Sequence, residues 1–167
     1  MMRLIYYLIV FILLISCTHS SNDKHPTAKE DSTLSPLQKA EAIADIFFED
    51  GDYGIAIPYF DSLIAIDSSK GGYYFKRGYC KMRLQNDIGA IYDYNIAIER
   101  NYSMKHLPYF YIGLIHRSHG LFKNYNNQIA EFDSALYFYN LSLEIDPNYK
   151  SALLEKEKVL EHLNMLR

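Results

Sequence analysis

The sequence predicts an all-α protein in which pairs of short helices stack as a solenoid of three repeats, closed by a C-terminal helix. The main observation is a spacing, because Ala90 follows Ala56 by 34 residues and Tyr94 follows Phe60 by the same 34 residues. A second observation is that small and aromatic residues recur at helical intervals around these positions. A constant period of this length indicates repeated helix-turn-helix units that bury their apolar faces against one another.

Residues 73–98 show one such unit most clearly. The predicted stripes are Tyr74, Arg77, Gly78 and Lys81 on the first helix and Ala90, Tyr94 and Ala97 on the second. We expect the small residues Gly78 and Ala90 to face each other across the pair, and Asp93 to point outward. The arrangement resembles the tetratricopeptide repeat (TPR), whose first helix carries aromatic-x2-Leu-Gly-x2-Tyr and whose second carries Ala-x3-Phe before a Pro.

The resemblance implies a TPR-type helix-turn-helix solenoid over residues 36–167. Its parts are repeats near 37–70, 71–104 and 106–149 and a polar-backed capping helix at 150–167. In the third repeat, Gly113 and Ala135 are ten residues further apart than the matching residues of the second repeat. We expect this insertion, near 118–127, to form an irregular and mobile corner, because Gly120 and three Asn lie within it.

Local signals mark the first helix pair. Ser35 can cap a helix, Pro36 suits the first helical position, and Gln38 can reach back to complete a capping box. Gly51 can supply the positive φ that ends this helix, and Asp52 can cap the next one. The domain is therefore predicted to begin at Pro36.

Residues 1–16 have the pattern of a bacterial lipoprotein signal peptide. Arg3 provides a positive charge, and residues 4–15 form an apolar run of twelve, which is too short to span a bilayer as a helix. The run leads into the tetrapeptide LISC, which ends at Cys17 and resembles the lipobox. The resemblance implies cleavage before Cys17 and acylation of this residue. The alternative is an ordinary signal peptide or anchor with an incidental Cys.

Residues 17–35 are expected to form a disordered tether that starts at the lipidated Cys. They contain one large apolar residue, Leu34, and so cannot bury enough surface to offset the entropy of ordering. Thr18 stands where an Asp would resemble an inner-membrane retention signal, which favours the outer membrane. The tripeptide Asp-Ser-Thr that ends at Thr33 resembles an O-glycosylation sequon for Ser32 or Thr33, with a chance match as the alternative.

Composition and motifs argue against nucleic-acid binding and catalysis. The formal charge is −3, and no basic stripe suited to nucleic acid is present. No catalytic residue, cofactor, metal or small-molecule substrate is expected, because no nucleophile motif or phosphate loop occurs. His116 and His119 could share a helix face, but no third ligand lies nearby in the sequence. Cys80 is expected to be a small buried hydrophobe, with a thiol that is reactive or bonded to a partner as the alternative.

The resemblance also implies a concave surface lined by the first helix of each repeat. In this chain the predicted partner-binding groove consists of Phe75, Tyr79, Met82, Arg83, Phe110, Leu114 and Arg117. The two Arg flank the apolar residues and could hold a carboxylate or backbone carbonyls of a bound segment. The family's chaperone-tail clamp needs Lys and Asn where this chain has Glu41 and Asp45, so that ligand class is not expected. The alternative is that the C-terminal helix or the tether covers the patch, which would then be core.

These features predict a membrane-tethered TPR lipoprotein that acts as a protein–protein interaction adaptor in the bacterial cell envelope. The partner would be a protein or peptide, and the lipid anchor would hold the domain at a membrane, where Thr18 favours the outer one. The alternative is a structural or assembly subunit, similar to a pilotin, that acts only within a larger envelope complex.

Overall fold

The computed structural model of the protein describes residues 34–122 and 125–166, and in these ranges all regular structure is α-helical. The helices are α1 Pro36–Asp50, α2 Tyr53–Ile66, α3 Gly71–Arg83, α4 Asp87–Glu99, α5 His106–Phe122, α6 Tyr125–Ile145 and α7 Lys150–Leu166. The predicted signal peptide, Cys17 and most of the tether lie outside the described residues. None of the helices described by the structure is both long and apolar enough to cross a bilayer.

The helices pack as three successive pairs with one further helix. Within the pairs, α1 packs on α2, α3 on α4, and α5 on α6. Each pair then contacts the next through α2 with α3 and through α4 with α5, and α7 packs against α6. This order of contacts confirms the predicted solenoid of three helix pairs and a C-terminal helix.

The first helix begins and ends as its sequence predicts. The Ser35 hydroxyl accepts a hydrogen bond from the Gln38 backbone N–H, and the Gln38 side chain accepts one from the Ser35 N–H, which completes the capping box. Gly51 ends α1 with a φ of 85°, in the left-handed region that glycine tolerates best. Asp52 precedes α2, but its side chain makes no capping hydrogen bond, so that part of the prediction is wrong.

The repeated signature positions form the core. In the second helix of each pair, every one of these side chains is fully buried: Ala56, Ala90 and Ala135 at the small position, and Phe60, Tyr94 and Tyr139 at the aromatic one. Cys80 is also fully buried, and its burial raises the pKa of the thiol to about 12. The repeated small and aromatic positions, at a spacing of 34 residues between the first two repeats, are therefore those on which the helix pairs close.

Gly78 approaches different residues from those predicted. A Cβ atom at Gly78 would lie 3.1 Å from the Cβ of Asp93 and from two ring carbons of Tyr94, so these residues, and not Ala90, are its nearest neighbours across the pair. Asp93 is fully buried, and the prediction that it points outward is wrong. The physical reason is that Arg77 and Lys81, one on each side of Gly78, neutralise the Asp93 carboxylate.

The insertion of the third repeat lengthens its helices. Residues 118–122 continue α5, and α6 begins at Tyr125, so the expectation of an irregular corner over 118–127 is wrong for the described residues. Gly120 is buried, and a Cβ atom there would lie 2.7 Å from the ring of Phe132 in α6. This glycine allows two helices to approach closely, whereas its sequence neighbours suggested a turn.

The outer face of the last helix differs from a purely polar cap. One side of α7 buries Ala152, Val159 and Leu163 against the third repeat. The rest of its surface exposes Leu153, Leu154, Leu160 and Met165 among its polar residues. The capping helix therefore has a mixed outer surface of polar and apolar residues, which corrects the predicted polar backing.

The contact between Gly120 and Phe132 gives a test of the long α5–α6 hairpin. Gly120→Val should lower the free energy of unfolding by about 1–3 kcal/mol, because the new side chain overpacks the fully buried ring. Gly54→Val in α2 is the matched control and should change stability by less than about 0.5 kcal/mol, since a Cβ there meets no atom within 4 Å. Urea denaturation followed by circular dichroism measures both, and equal stabilities would contradict the helical hairpin.

A second test concerns the buried carboxylate. Asp93→Ala should destabilise the fold by about 3–5 kcal/mol, because Arg77 and Lys81 would lose a fully buried counter-ion. Asp61→Ala removes the other carboxylate bound to Arg77, but its side chain is 54% exposed, so the expected loss is below about 1 kcal/mol. The same urea titrations compare the two variants, and similar losses would show that Asp93 is solvated.

Candidate functional site

The first helices of the three repeats bring aromatic rings together around one open cavity. This aromatic cavity, of about 390 Å³, is lined by Phe48 and Glu49 of α1, Tyr53 of α2, Phe75 and Tyr79 of α3, and Leu107 and Tyr111 of α5. Only two of these residues, Phe75 and Tyr79, belong to the predicted groove. The observed cavity therefore contains part of the predicted groove together with residues of the first repeat that were not predicted.

Tyr79 stands at the centre of the aromatic cavity. Its ring centroid lies 5.4 Å from that of Phe48, 5.9 Å from that of Tyr53 and 5.3 Å from that of Tyr111. The contacts with Tyr53 and Tyr111 are edge-to-face, an arrangement favoured by the charge distribution of aromatic rings. Burial raises the pKa of Tyr111 to about 12, so its hydroxyl stays neutral at physiological pH. Together the rings form a rigid, uncharged wall.

Arg83 lies over this wall. Its guanidinium carbon is 4.9 Å from the centre of the Tyr53 ring and 5.8 Å from that of Tyr79. Its Nη1 atom donates hydrogen bonds to both hydroxyls, at 2.9 Å to Tyr53 and 3.1 Å to Tyr79. The hydrogen bond to Tyr79 raises the pKa of Arg83. Arg83 is therefore held in place by the two tyrosines, and much of its charge is directed at their rings.

Two of the predicted groove residues are largely buried. Phe75 is 8% exposed and stacks on Tyr102 with ring centroids 4.7 Å apart, so it forms the floor of the aromatic cavity. Phe110 is 6% exposed and packs against Tyr139 and Tyr149, within the cluster that also contains the buried residues of α7. The prediction of Phe110 as an exposed binding residue is wrong, because the α6 and α7 side of the fold covers it.

The C-terminal helix also engages Arg117. The Nε atom of Arg117 lies 3.2 Å from a carboxylate oxygen of Glu155 in α7, so this cation belongs to a helix–helix contact and does not flank an open groove. For Arg117 and Phe110, the structure therefore agrees with the alternative in which the C-terminal part of the fold covers the predicted patch. In the part of the chain that the structure describes, the predicted surface stays open where residues of α1, α2, α3 and α5 line the aromatic cavity.

A second cavity collects the remaining predicted residues. This corner cavity, of about 660 Å³, lies where the end of α3 and the start of α4 meet the second half of α5. Its lining residues are Met82, Gln85, Asp87, Leu114, Ile115, Ser118, His119 and Phe122. Met82 and Leu114 come from the predicted groove, whereas the others were missed. The one sequence feature that could have pointed to this cavity is Phe122, an aromatic residue that occupies no signature position of the repeat.

The histidines of α5 pair with carboxylates of neighbouring helices. His119 Nε2 lies 2.7 Å from an Asp87 oxygen of α4, and His116 Nδ1 lies 2.8 Å from a Glu131 oxygen of α6. His116 also stacks on Phe138, with ring centroids 5.4 Å apart. In residues 34–122 and 125–166, no group of three or more His, Cys, Asp or Glu is arranged to hold a metal ion. The two histidines therefore act as links between helices.

No protein-family model matches this chain, and no curated protein matches it. Solved structures do. The first TPR domain of Spaghetti (RPAP3) bound to an HSP90 peptide has a TM-score of 0.63 at 21% identity, over 77% of this chain and 93% of that one. The Arabidopsis OM64 TPR domain has a TM-score of 0.63 at 15% identity, over 75% of this chain and 98% of that one.

A bacterial structure is also similar. The Yersinia enterocolitica type III secretion chaperone SycD, in complex with a peptide of the translocator YopD, has a TM-score of 0.60 at 17% identity. The similarity covers 81% of this chain and 95% of that one. At these identities the likeness establishes the fold alone. The chain has the TPR-type helix-turn-helix solenoid fold, with three helix pairs and a seventh helix in the described residues.

Proposed function

We propose that this protein is a membrane-tethered adaptor of the bacterial cell envelope that binds a peptide segment of another protein in its aromatic cavity. One observation carries the proposal: rings from three repeats converge on an open cavity around the half-buried Tyr79. A large apolar surface left open to water favours association, and rigid aromatic side chains contribute most to such binding. The protein would act by binding, with no chemical step of its own.

The similar structures support a peptide as the ligand. The Spaghetti domain is bound to an HSP90 peptide, and SycD is bound to a peptide of a translocator. In this chain the acidic residues of α1 disfavour an acidic chaperone tail. Glu41 accepts a hydrogen bond from the Tyr73 hydroxyl, and Asp45 pairs with Lys76 at 2.6 Å. We therefore expect a peptide class that depends on apolar contacts.

The tether is proposed from the sequence. The LISC tetrapeptide after a short apolar run supports lipidation of Cys17, and Thr18 favours the outer membrane. An alternative role as an assembly subunit is supported by the exposed leucines of α7, which offer a second surface for a permanent partner. The two roles differ in stoichiometry, because an assembly subunit should co-purify with fixed partners and an adaptor should purify alone.

The lipid anchor has a direct test. Cys17→Ala should abolish labelling with a radioactive or clickable fatty acid and should leave the uncut precursor, because the modified and cleaved residue is gone. Cys80→Ala is the matched control and should still be labelled, since Cys80 is fully buried in the domain. Wild-type protein cleaved elsewhere with an unmodified Cys17 would refute the lipoprotein proposal.

Binding in the aromatic cavity is tested by crosslinking in whole cells with mass spectrometry of the captured proteins. Tyr79→Glu should keep the helical circular dichroism signal and lose the partner, because it places a charge at the centre of the cavity. Tyr137→Glu is the matched control on an exposed aromatic residue of α6 and should keep the partner. Phe110→Glu is uninformative about binding, since loss of a buried Phe alone costs about 3–5 kcal/mol. An unchanged partner in the Tyr79→Glu variant would refute this site.

A further inference from the structure

The two cavities lie along one face of α5, and the two together are named the groove. Leu107, Tyr111, Leu114, Ser118 and Phe122 follow each other at intervals of three or four residues and so share one face of the helix. The first two line the aromatic cavity, and the last three line the corner cavity. From the first to the last of these residues the face extends for about 22 Å, at 1.5 Å per residue.

The opposite wall of the groove belongs to α3. Phe75 and Tyr79 line the aromatic cavity, and Met82, one turn further along α3, lines the corner cavity. Earlier residues of both helices therefore lie at one end of the groove and later residues at the other. The two helices run in the same direction, and side chains of both line each cavity.

The lengthened third repeat contributes part of the corner cavity. Helix α5 has 17 residues and α3 has 13, and the additional turn of α5 carries Phe122 beyond the end of α3. Phe122 is 87% exposed, although it lines the corner cavity. A nearby residue at the start of α4, Ile88, is equally exposed. These side chains have apolar surface for a partner and bury little of it within the described part of the chain.

The charges at the groove indicate the charge of the partner. Each cavity has one carboxylate in its lining, Glu49 in the aromatic cavity and Asp87, which is paired with His119, in the corner cavity. Asp50 and Asp52 are exposed at the adjoining corner, next to Tyr53. The basic residue at this rim, Arg83, is already hydrogen-bonded to two tyrosines. These hydrogen bonds leave the positive charge of Arg83 in place, but the exposed carboxylates of Glu49, Asp50 and Asp52 outnumber it, and this excess of negative charge favours a basic partner.

The nature of the walls indicates the conformation of the partner. An extended segment would bring unpaired backbone N–H and C=O groups against walls that are mostly aromatic and aliphatic. A helix satisfies these groups internally and presents only side chains. The α5 residues that line the two cavities are on average roughly 13 Å apart along the helix axis, at 1.5 Å per residue. Positions i and i+7 of a bound helix are about 10.5 Å apart, which is a similar distance.

We propose that the groove between α3 and α5 binds a basic amphipathic helix, with one large apolar side chain in each cavity. The inference rests on the proposed function and specifies the chemistry of the peptide. The aromatic cavity takes the first apolar side chain, and the corner cavity, to which the lengthened α5 contributes, takes the second. Lys or Arg residues on the flanks of the bound helix face Glu49, Asp50 and Asp52.

The test is fluorescence anisotropy of the purified full-length protein with a labelled helical peptide that carries Leu at i and i+7 and Lys on its flanks. Replacing the Lys by Glu should weaken binding at least about tenfold, and so should a central Pro that breaks the helix. In the protein, Phe122→Ser and Tyr79→Ser should each weaken binding at least about tenfold. Tyr137→Ser, on an exposed face outside the groove, is the matched control and should bind as the wild type does.

The outcomes separate this inference from the proposed function. If Tyr79→Ser abolishes binding and Phe122→Ser has no effect, the ligand occupies the aromatic cavity alone, and the two-cavity groove is refuted while the adaptor proposal stands. If the Pro-containing peptide binds as tightly as the original or more tightly, the partner is not helical. If the Glu-containing peptide does so, the partner is not basic. If no peptide of the set binds, the inference fails, and the cellular crosslinking of the Tyr79→Glu variant still decides the proposed function independently.

Discussion

The buried carboxylate of Asp93 is the interaction on which the rest of the structure depends. Arg77 donates to both of its oxygens, from Nε at 2.8 Å and from Nη2 at 2.6 Å, and Lys81 approaches it to 2.8 Å. Gly78 lies between these two cations in α3, and its missing side chain lets α4 come close enough for the ion pairs to form. Arg77 also binds Asp61 of α2 at 2.6 Å, so one side chain links the first and second helix pairs.

This network determines where the opposite face of α3 points. With one side of the helix fixed to α4 and α2, Tyr79 and Met82 are directed towards the open side of the solenoid, where they meet side chains of α1 and α5. A buried ion pair contributes little net stability in general, but it tolerates few alternative arrangements because an unpaired buried charge is costly. The ion pairs of Asp93 on one face of α3 thus fix the direction in which Tyr79 and Met82 point on the other face.

The third repeat adds a different constraint. Gly113 and Gly120 of α5 both face aromatic rings of α6, those of Tyr139 and Phe132, at distances that a Cβ atom could not reach without displacing the ring. These two contacts, about two turns apart, hold α5 and α6 together along their additional length. This close packing supports the additional turn of α5 that carries Phe122. The same helices bury Phe110 under α7, which closes the other side of the third repeat.

The sequence by itself determined the helix pairs, because period and helix caps are local properties: the 34-residue spacing, the Ser35 capping box and the left-handed Gly51 all appear in the structure. Of the candidate site, it identified the α3 face with Phe75, Tyr79 and Met82. Tertiary structure alone decided which faces are covered. A helical stripe shows which residues lie together, but the burial of Asp93 and the role of Gly120 depend on side chains that other helices bring to them.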